Sequence, residues 1–302
     1  MINKRYFIIT LFVLIFGCNS DSDIPQNETG KGAVILFGGK ITNIVSKAIT
    51  EGETFPSTAS IGIFSWGHNK NNATEQVIRK DLNNTPYTKS SGSNDFISTT
   101  EAHYSVNPDT LLNFYAYYPY NEAATATPLS ISFDLTKQND IMWATPVLDK
   151  DKTTADQKVN FSFNHILSAI TLIFKKADDI KEDMILQSVS MENYPSTIQL
   201  NVQTGELSAT ASTSTFPLIE NLNIAITPTE TTVVTNFLLY PVDKPVFIVR
   251  MSDKDYRIES KKGFEKGKRQ TYTFTIQASD ISLSGSITPW ADGGTSNETV
   301  YF

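Results

Sequence analysis

The sequence is poor in cysteine, histidine and basic residues, and each shortage argues against a class of structure or partner. Cys18 is the single cysteine, so no disulfide can form within the chain and its core depends on burial alone. The three histidines lack the spacing of a metal site, and His165, beside an apolar strand, fits a hydrogen-bonded packing role better than a ligand role.

Charge and missing motifs narrow the functional classes further. Lysine and arginine number 25 against 32 acidic residues, which leaves no basic excess for nucleic-acid binding. The nucleophile-elbow, zinc-protease, Walker and EF-hand signatures are absent from the sequence. We therefore expect no enzyme, no cofactor, no metal site and no nucleic-acid partner.

The N-terminus has the pattern of a lipoprotein signal peptide. Lys4 and Arg5 precede an apolar run at 6–16, which is shorter than the roughly 20 residues of a membrane-spanning helix. Residues 15–18 resemble a bacterial lipobox, although Phe16 replaces the usual small residue. We expect a signal peptide over 1–17 and lipidation of Cys18; the alternative is an ordinary secretion signal that ends in cysteine.

A polar segment follows the expected lipidation site. Residues 18–32 contain proline and glycine and have no apolar period, which is typical of a flexible tether. Their acidic residues resemble the surface-export signal of Bacteroidales lipoproteins. We expect the mature chain to be held at the outer membrane, on the cell surface, by its lipid anchor.

Alternating apolar and polar residues predict an all-β fold. Such alternation marks half-buried strands, and it recurs in LSISFDL (129–135), VNFSFN (159–164), TIQLNV (197–202), LNIAI (222–226) and TYTFTI (271–276). The strongest helix candidate, 177–184, is short. The strands are too numerous for one small sandwich, so we expect two stacked β-sandwiches, at 33–157 and 158–302.

Five stretches occur in a characteristic order along the chain. They are SKAITEGETFPSTASIGIFSW (46–66), LLNFYAYYPY (111–120), DIMWATP (140–146), FSFNHILSAITLIF (161–174) and ITPW (287–290). Together with the lipoprotein signal, this series resembles the fimbrillins of the Bacteroidales, the subunits of type V pili.

The resemblance implies a fold and a way of assembling. It implies two transthyretin-like β-sandwiches, and proteolysis after a basic residue that here corresponds to Lys47, before Ala48. The family position is often arginine. The strand AVILF, with Val34 and Leu36, would then be displaced and replaced by a strand from another subunit. The donor candidate is the C-terminal segment with Ile281, Leu283 and Ile287, whose row Gly285 interrupts.

The sequence leaves other interpretations open. Lys47 could be an ordinary loop lysine, and 281–290 the last strand of its own domain. The partners would be other pilus subunits, identical or paralogous, and an unknown host or bacterial surface ligand. One alternative is a membrane-retained pilus anchor, and another is a non-polymerising lipoprotein that binds glycan through exposed aromatics such as Tyr115 or Trp66.

The remaining aromatic residues have structural interpretations. We expect the tyrosines of 115–120 to be half-buried at a sheet edge, with their hydroxyl groups in water. Trp143 and Trp290 are expected to pack at domain corners.

Overall fold

The computed structural model describes residues 32–42, 55–126, 130–153, 158–252, 254–277 and 281–289. Within these ranges the chain is all-β, as the alternation predicts, with three short 3-10 helices and no α-helix. The helix candidate at 177–184 is wrong, because those residues form turns that lead into a strand starting at Met184. Cys18, Lys47, Ala48 and Trp290 lie outside the described residues.

The strands are β1 Leu36–Ile41, β2 Ser60–Asn69, β3 Asn72–Ile78, β4 Thr85–Lys89, β5 Asp95–Ile97, β6 Thr110–Tyr118, β7 Ile131–Asp134, β8 Met142–Thr145, β9 Val147–Lys150, β10 Lys158–His165, β11 Ser168–Lys176, β12 Met184–Leu200, β13 Leu207–Ile219, β14 Ile224–Ile226, β15 Thr231–Leu239, β16 Val246–Met251, β17 Lys254–Glu259, β18 Lys268–Ile276 and β19 Ile281–Pro289. The 3-10 helices span Lys80–Leu82, Glu122–Ala126 and Leu135–Lys137.

The first sheet closes on itself. Its strands follow the order β2-β4-β5-β1-β10-β8-β6, and β6 pairs back onto β2, so seven strands form a ring to which β3 and β9 are added. Apolar side chains from alternate positions fill its interior, including Ile61, Phe114 and Phe161. The expected open sandwich is therefore a barrel-like sheet here, and closure leaves the ring strands paired on both sides.

β10 belongs to this ring. The expected domain boundary at residue 157 lies outside the described residues, and it would assign β10 to the second domain. The hydrogen bonds of β10 place it in the barrel, where it runs parallel to β1 and antiparallel to β8. Apart from β7, which pairs with β12, the described strands up to His165 belong to the barrel sheet, whereas β11 pairs with β15 and β18.

The second part of the chain is sandwich-like. One sheet has the order β15-β11-β18-β19, and the other has β13-β12-β16-β17 with β14 and β7 also paired to β12. Side chains such as Leu172, Phe247 and Phe274 are fully buried in its core. β7 comes from the first half of the sequence and pairs with residues 197–200 of β12, so it connects the two halves of the molecule.

The barrel and the sandwich share a hydrophobic cluster. Phe64 and Trp66 of β2 and Tyr115 and Tyr117 of β6 belong to the same buried cluster as the sandwich core. Trp143 adds a polar contact, because its indole N–H donates to the carbonyl oxygen of Val202 at 2.8 Å. The two parts therefore pack through aromatic side chains on the outer face of the barrel.

Candidate functional site

β1 occupies a slot between two ring strands of the barrel. It runs parallel to β10 over its whole length and antiparallel to β5 over a shorter stretch. The chain on its N-terminal side is also held, because the amide of Ile35 donates to the carbonyl oxygen of Ala102 at 2.8 Å and Val34 forms a bridge with His103. The segment expected to be displaceable is thus an integral strand of the sheet.

The inward side chains of β1 are offset by one residue from those singled out in the sequence. Val34 and Leu36 are 39% and 58% exposed, whereas Ile35 and Phe37 are 3% and 2% exposed. Phe37 lies against the rings of Tyr87, Phe114 and Phe161. The slot is therefore defined by Ile35, Phe37 and Ile41, which sequence reasoning missed because AVILF is uniformly apolar and has no visible phase.

Two consecutive glycines allow close packing on both faces of β1. A Cβ at Gly39 would lie 2.9 Å from the ring of Phe96 and 3.0 Å from that of Phe163, inside the barrel. A Cβ at Gly38 would lie 2.6 Å from Cε of Lys158 and 2.7 Å from Oδ1 of Asn160. The inward position is closed by buried rings, whereas the outward position is crossed by the mobile end of a long side chain.

An ion pair bridges the two neighbours of β1. Lys158 on β10 pairs with the carboxylate of Asp95 on β5 across the position of Gly38. The hydrogen bond from Lys158 lowers the pKa of Asp95 below its ordinary value. The pair closes the outer face of the slot over the strand.

The C-terminal donor candidate is an edge strand in this structure. β19 pairs antiparallel with β18 along its whole length and forms the end of its sheet. Ile281 is buried, and Leu283 and Ile287 are partly buried. Within one chain, this segment is thus the last strand of its own sheet, as the alternative interpretation has it. Its role as a donor to another subunit stays a prediction.

The comparisons with known proteins connect this architecture with a family. The sequence profile of the fimbrillin-like family matches residues 46–290. The chain belongs to the fimbrillin-like family. The resemblance seen in the sequence is thus confirmed over most of the chain, although no curated protein shows significant similarity to it.

Solved structures share the fold of this fimbrillin-like chain. A protein from Bacteroides uniformis, provisionally assigned to cell adhesion, is 20% identical with a TM-score of 0.60, over 85% of this chain and 98% of its own. A similar protein from Bacteroides ovatus is 20% identical with a TM-score of 0.60, over 87% and 99%. A fimbrial protein from Bacteroides vulgatus is 12% identical with a TM-score of 0.56, over 84% and 99%.

The aromatic residues of the fimbrillin-like chain are more buried than the sequence suggested. Glycan stacking would require Tyr115 and Trp66 to be exposed, but their side chains are only 6% and 8% exposed. Tyr117 is fully buried, and its hydroxyl donates to Oδ1 of Asn84 at 2.7 Å and accepts from the amide of Asn121 at 3.0 Å. The expectation of wet hydroxyls at an edge is wrong for Tyr117, because β6 is paired on both sides and faces the sandwich.

The histidines of the described residues have protein partners. His165 is buried and its Nδ1 lies 3.0 Å from a carboxylate oxygen of Asp140, while Nε2 of His68 lies 2.9 Å from Oδ1 of Asp149. The described ranges contain no group of three or more potential ligands able to hold a metal ion. None of the helices within them is both long and apolar enough to cross a membrane.

Proposed function

We propose that this fimbrillin-like protein is a structural or adhesive subunit of cell-surface fimbriae. It is exported as a lipoprotein that carries its lipid on Cys18. Its partners are other pilus subunits, and it assembles when proteolysis between Lys47 and Ala48 allows a strand of another subunit to replace β1. The observation that carries the proposal is the position of β1, an N-terminal strand hydrogen-bonded in the barrel wall between β5 and β10. Family membership supports the fimbrial role.

Because of the order of these segments in the chain, one cut would separate both the lipid anchor and β1 from the rest of the subunit. Lys47 stands between β1 and β2 in the sequence, and Cys18 stands before β1. A cut after Lys47 would separate the lipid and β1 from the rest of the covalent chain. The trimmed subunit would then be free of the membrane once β1 leaves.

Burial explains why a replacement strand is needed. Ile35, Phe37 and Ile41 are all buried in the barrel, and each such side chain contributes about 1.5–3 kcal/mol. Loss of β1 would also expose unpaired backbone groups on β5 and β10, which an added strand can satisfy. The cut therefore removes the covalent link between β1 and the rest of the fold. The barrel is still more stable when a strand occupies the position between β5 and β10.

Limited trypsin treatment tests the proposal on the mature chain, residues 18–302 with Cys18→Ser. We expect a new N-terminus at Ala48, identified by Edman sequencing, and ladders that resist mild denaturant on gels. Lys47→Ala should block both changes. Lys40→Ala, which removes a lysine from β1 itself, is the matched control and should leave trimming at Ala48 intact. A trimmed protein that stays monomeric at high concentration would refute assembly by exchange.

A membrane-retained anchor is the second candidate, because β1 is paired on both sides and bridged by the Lys158–Asp95 ion pair. An anchor would keep both β1 and its lipid. Palmitate pulse-labelling of cells separates the two roles. A polymerising subunit loses the label as it matures, whereas an anchor keeps it.

A further inference from the structure

A cleft lies where the barrel meets the sandwich, apart from the slot of β1. One wall is the loop after β6, with Tyr120 and Glu122, and the other consists of β7, part of β12 and the segment that follows β7. We name it the Tyr120 cleft. Its volume is about 390 Å³, within the roughly 300–1,000 Å³ of small-molecule sites, which often lie between domains.

Hydrogen bonds of the buried Tyr117 hold the loop wall in place. Its hydroxyl accepts from the amide of Asn121 and donates to Oδ1 of Asn84. Nδ2 of Asn84 in turn donates to the carbonyl oxygen of Asn121 at 2.8 Å. The Asn121 side chain reaches the opposite wall, where its Nδ2 donates to the carbonyl oxygen of Ser132 at 2.9 Å. The two walls are therefore fixed relative to each other before any ligand arrives.

Several polar groups around the cleft are available to a ligand. The Tyr120 hydroxyl, the Lys137 ammonium and the Asn139 amide make no hydrogen bond to any other residue that the structure describes. One carboxylate oxygen of Asp134 accepts from the amide and the hydroxyl of Thr136, at 2.9 and 2.6 Å, and the other oxygen is left without a partner in the same part of the chain.

Two other clefts of the described residues lack this combination. In one, of about 330 Å³ and bounded by β17 and β19, Arg257 is already paired with Glu192 and Glu259. In the other, of about 500 Å³, Asn201 accepts from two backbone amides of its own turn. Neither is lined by an aromatic ring. Of the three, the Tyr120 cleft alone joins an aromatic ring to uncommitted polar groups.

Tyr120 offers both an apolar surface and a hydrogen-bond donor. Its side chain is half-buried, and this burial, together with the nearby carboxylate of Glu122, raises the pKa of its hydroxyl. The hydroxyl therefore keeps its proton at physiological pH and can donate it to a ligand oxygen. A tyrosine placed in this way packs its ring against an apolar face while its tip forms a polar contact.

The mixture of groups indicates the chemistry of the ligand. Asp134 only accepts hydrogen bonds, Lys137 only donates them and Asn139 does both, so a ligand with several hydroxyl groups can satisfy all three. The carboxylates of Glu122 and Asp134 outnumber the single ammonium and disfavour an anionic ligand. A neutral sugar has hydroxyl groups around its ring and a C–H face that can pack on Tyr120.

We propose that the Tyr120 cleft binds a neutral sugar residue of a surface glycan, which packs on the ring of Tyr120 and is hydrogen-bonded by Asp134 and Asn139. This inference rests on the adhesive part of the proposed function, to which it adds the class of ligand and the site. It needs no strand exchange, because both walls of the cleft belong to one chain.

Saturation-transfer difference NMR on the mature Cys18→Ser chain, before any trypsin treatment, tests the proposal. The neutral probes are methyl galactoside, methyl mannoside and N-acetylglucosamine, and the anionic probe is glucuronic acid. We expect saturation transfer to at least one neutral probe and weaker transfer to glucuronic acid. The proposal is overturned if no neutral probe receives saturation at millimolar concentration, or if glucuronic acid binds as strongly as the neutral probes.

Two substitutions locate the bound sugar. Tyr120→Ala removes the ring, and Asp134→Asn removes the carboxylate charge but keeps an oxygen for Thr136. We expect each to weaken binding about tenfold, the scale of losing one aromatic contact or one hydrogen bond to a charged group. Glu206→Gln, in the cleft of about 500 Å³, is the matched control and should leave the affinity unchanged. Binding that survives in both cleft variants, or that Glu206→Gln weakens equally, refutes this site.

The sugar site and the assembly mechanism fail separately. A protein that binds neutral sugars but forms no ladders after trimming supports the sugar site and contradicts assembly by exchange. A protein that forms ladders but binds no neutral sugar overturns the sugar site alone and leaves the assembly mechanism standing.

Discussion

Gly39 lies beneath two aromatic rings, while its neighbour Gly38 faces outward. An added Cβ meets buried ring atoms of Phe96 and Phe163 at Gly39, but the ends of the Lys158 and Asn160 side chains at Gly38. The two glycines are adjacent and share the same strand, so substitution by alanine compares the two environments directly.

We expect Gly39→Ala to lower the free energy of unfolding by about 1–3 kcal/mol, because the overpacked rings cannot move away. Gly38→Ala should change it by less than about 1 kcal/mol, because the ends of the Lys158 and Asn160 side chains are not buried and can move aside. Urea unfolding of the two variants measures the difference. Equal effects would contradict the description of the slot.

Asp95 has a lowered pKa because Lys158 donates a hydrogen bond to its carboxylate. A carboxyl group whose pKa is lower in the folded state stabilises the fold above its unfolded value, 3.8. That contribution disappears as the pH falls through the lower, folded-state pKa.

We expect Asp95→Asn to be less stable than the wild type at pH 7, by no more than about 1 kcal/mol because the pair is partly exposed. The difference should shrink below pH 3.8 and also in high salt. Urea unfolding between pH 2 and pH 7 checks both trends, and a difference that grows toward acid pH would exclude the ion pair as its cause.

At the scale of elements, β1 is a strand whose buried face cannot be predicted from the alternation of apolar and polar residues. Strands with a clear period, such as β10 with Phe161 and Phe163 buried, have the face that the sequence predicts. In AVILF every residue is apolar, so either face is compatible with burial. Pairing with β10 and β5 selects Ile35 and Phe37 for the interior.

Adjacent substitutions in β1 test this phase. We expect Phe37→Ala to cost about 3–5 kcal/mol, because it leaves a cavity among Tyr87, Phe114 and Phe161. Leu36→Ala should stay within about 0.5 kcal/mol, because its side chain is exposed. Chemical denaturation measures both, and a reversed order would show that the strand is registered one residue away.

β10 shows that a local sequence pattern predicts a strand but not the strands with which it pairs. Its alternating pattern predicts a strand correctly, but the sheet to which it belongs depends on β1, more than a hundred residues earlier in the chain. No local pattern reports such a parallel pairing. The sequence therefore favours placing β10 with the nearer C-terminal part, whereas its hydrogen bonds are with β1 and β8.

At the scale of the whole molecule, the barrel and the sandwich are joined by a continuous buried cluster and by Trp143. The indole N–H of Trp143 donates to the carbonyl oxygen of Val202, and its ring covers Gly205, where an added Cβ would lie 2.6 Å from the ring. The expectation that this tryptophan packs at a corner between the two parts agrees with these contacts.

We expect Trp143→Phe to reduce the free energy of unfolding by about 0.5–1.5 kcal/mol through the lost hydrogen bond. Scanning calorimetry should show a single transition in the wild type, because a shared core couples the two parts. Leu148→Ala, on an exposed residue of β9, is the control. Two separate transitions in the wild type would contradict the coupling.

The sequence by itself determined the all-β class, most of the strands, the family and the positions of the glycines, because these depend on composition and on patterns local in the chain. The tertiary structure decided the closure of the barrel, the inward face of β1, the placement of β10 and the burial of Trp66 and Tyr115. These features depend on hydrogen bonds and packing between segments far apart in sequence, which leave no periodic signal in either segment alone.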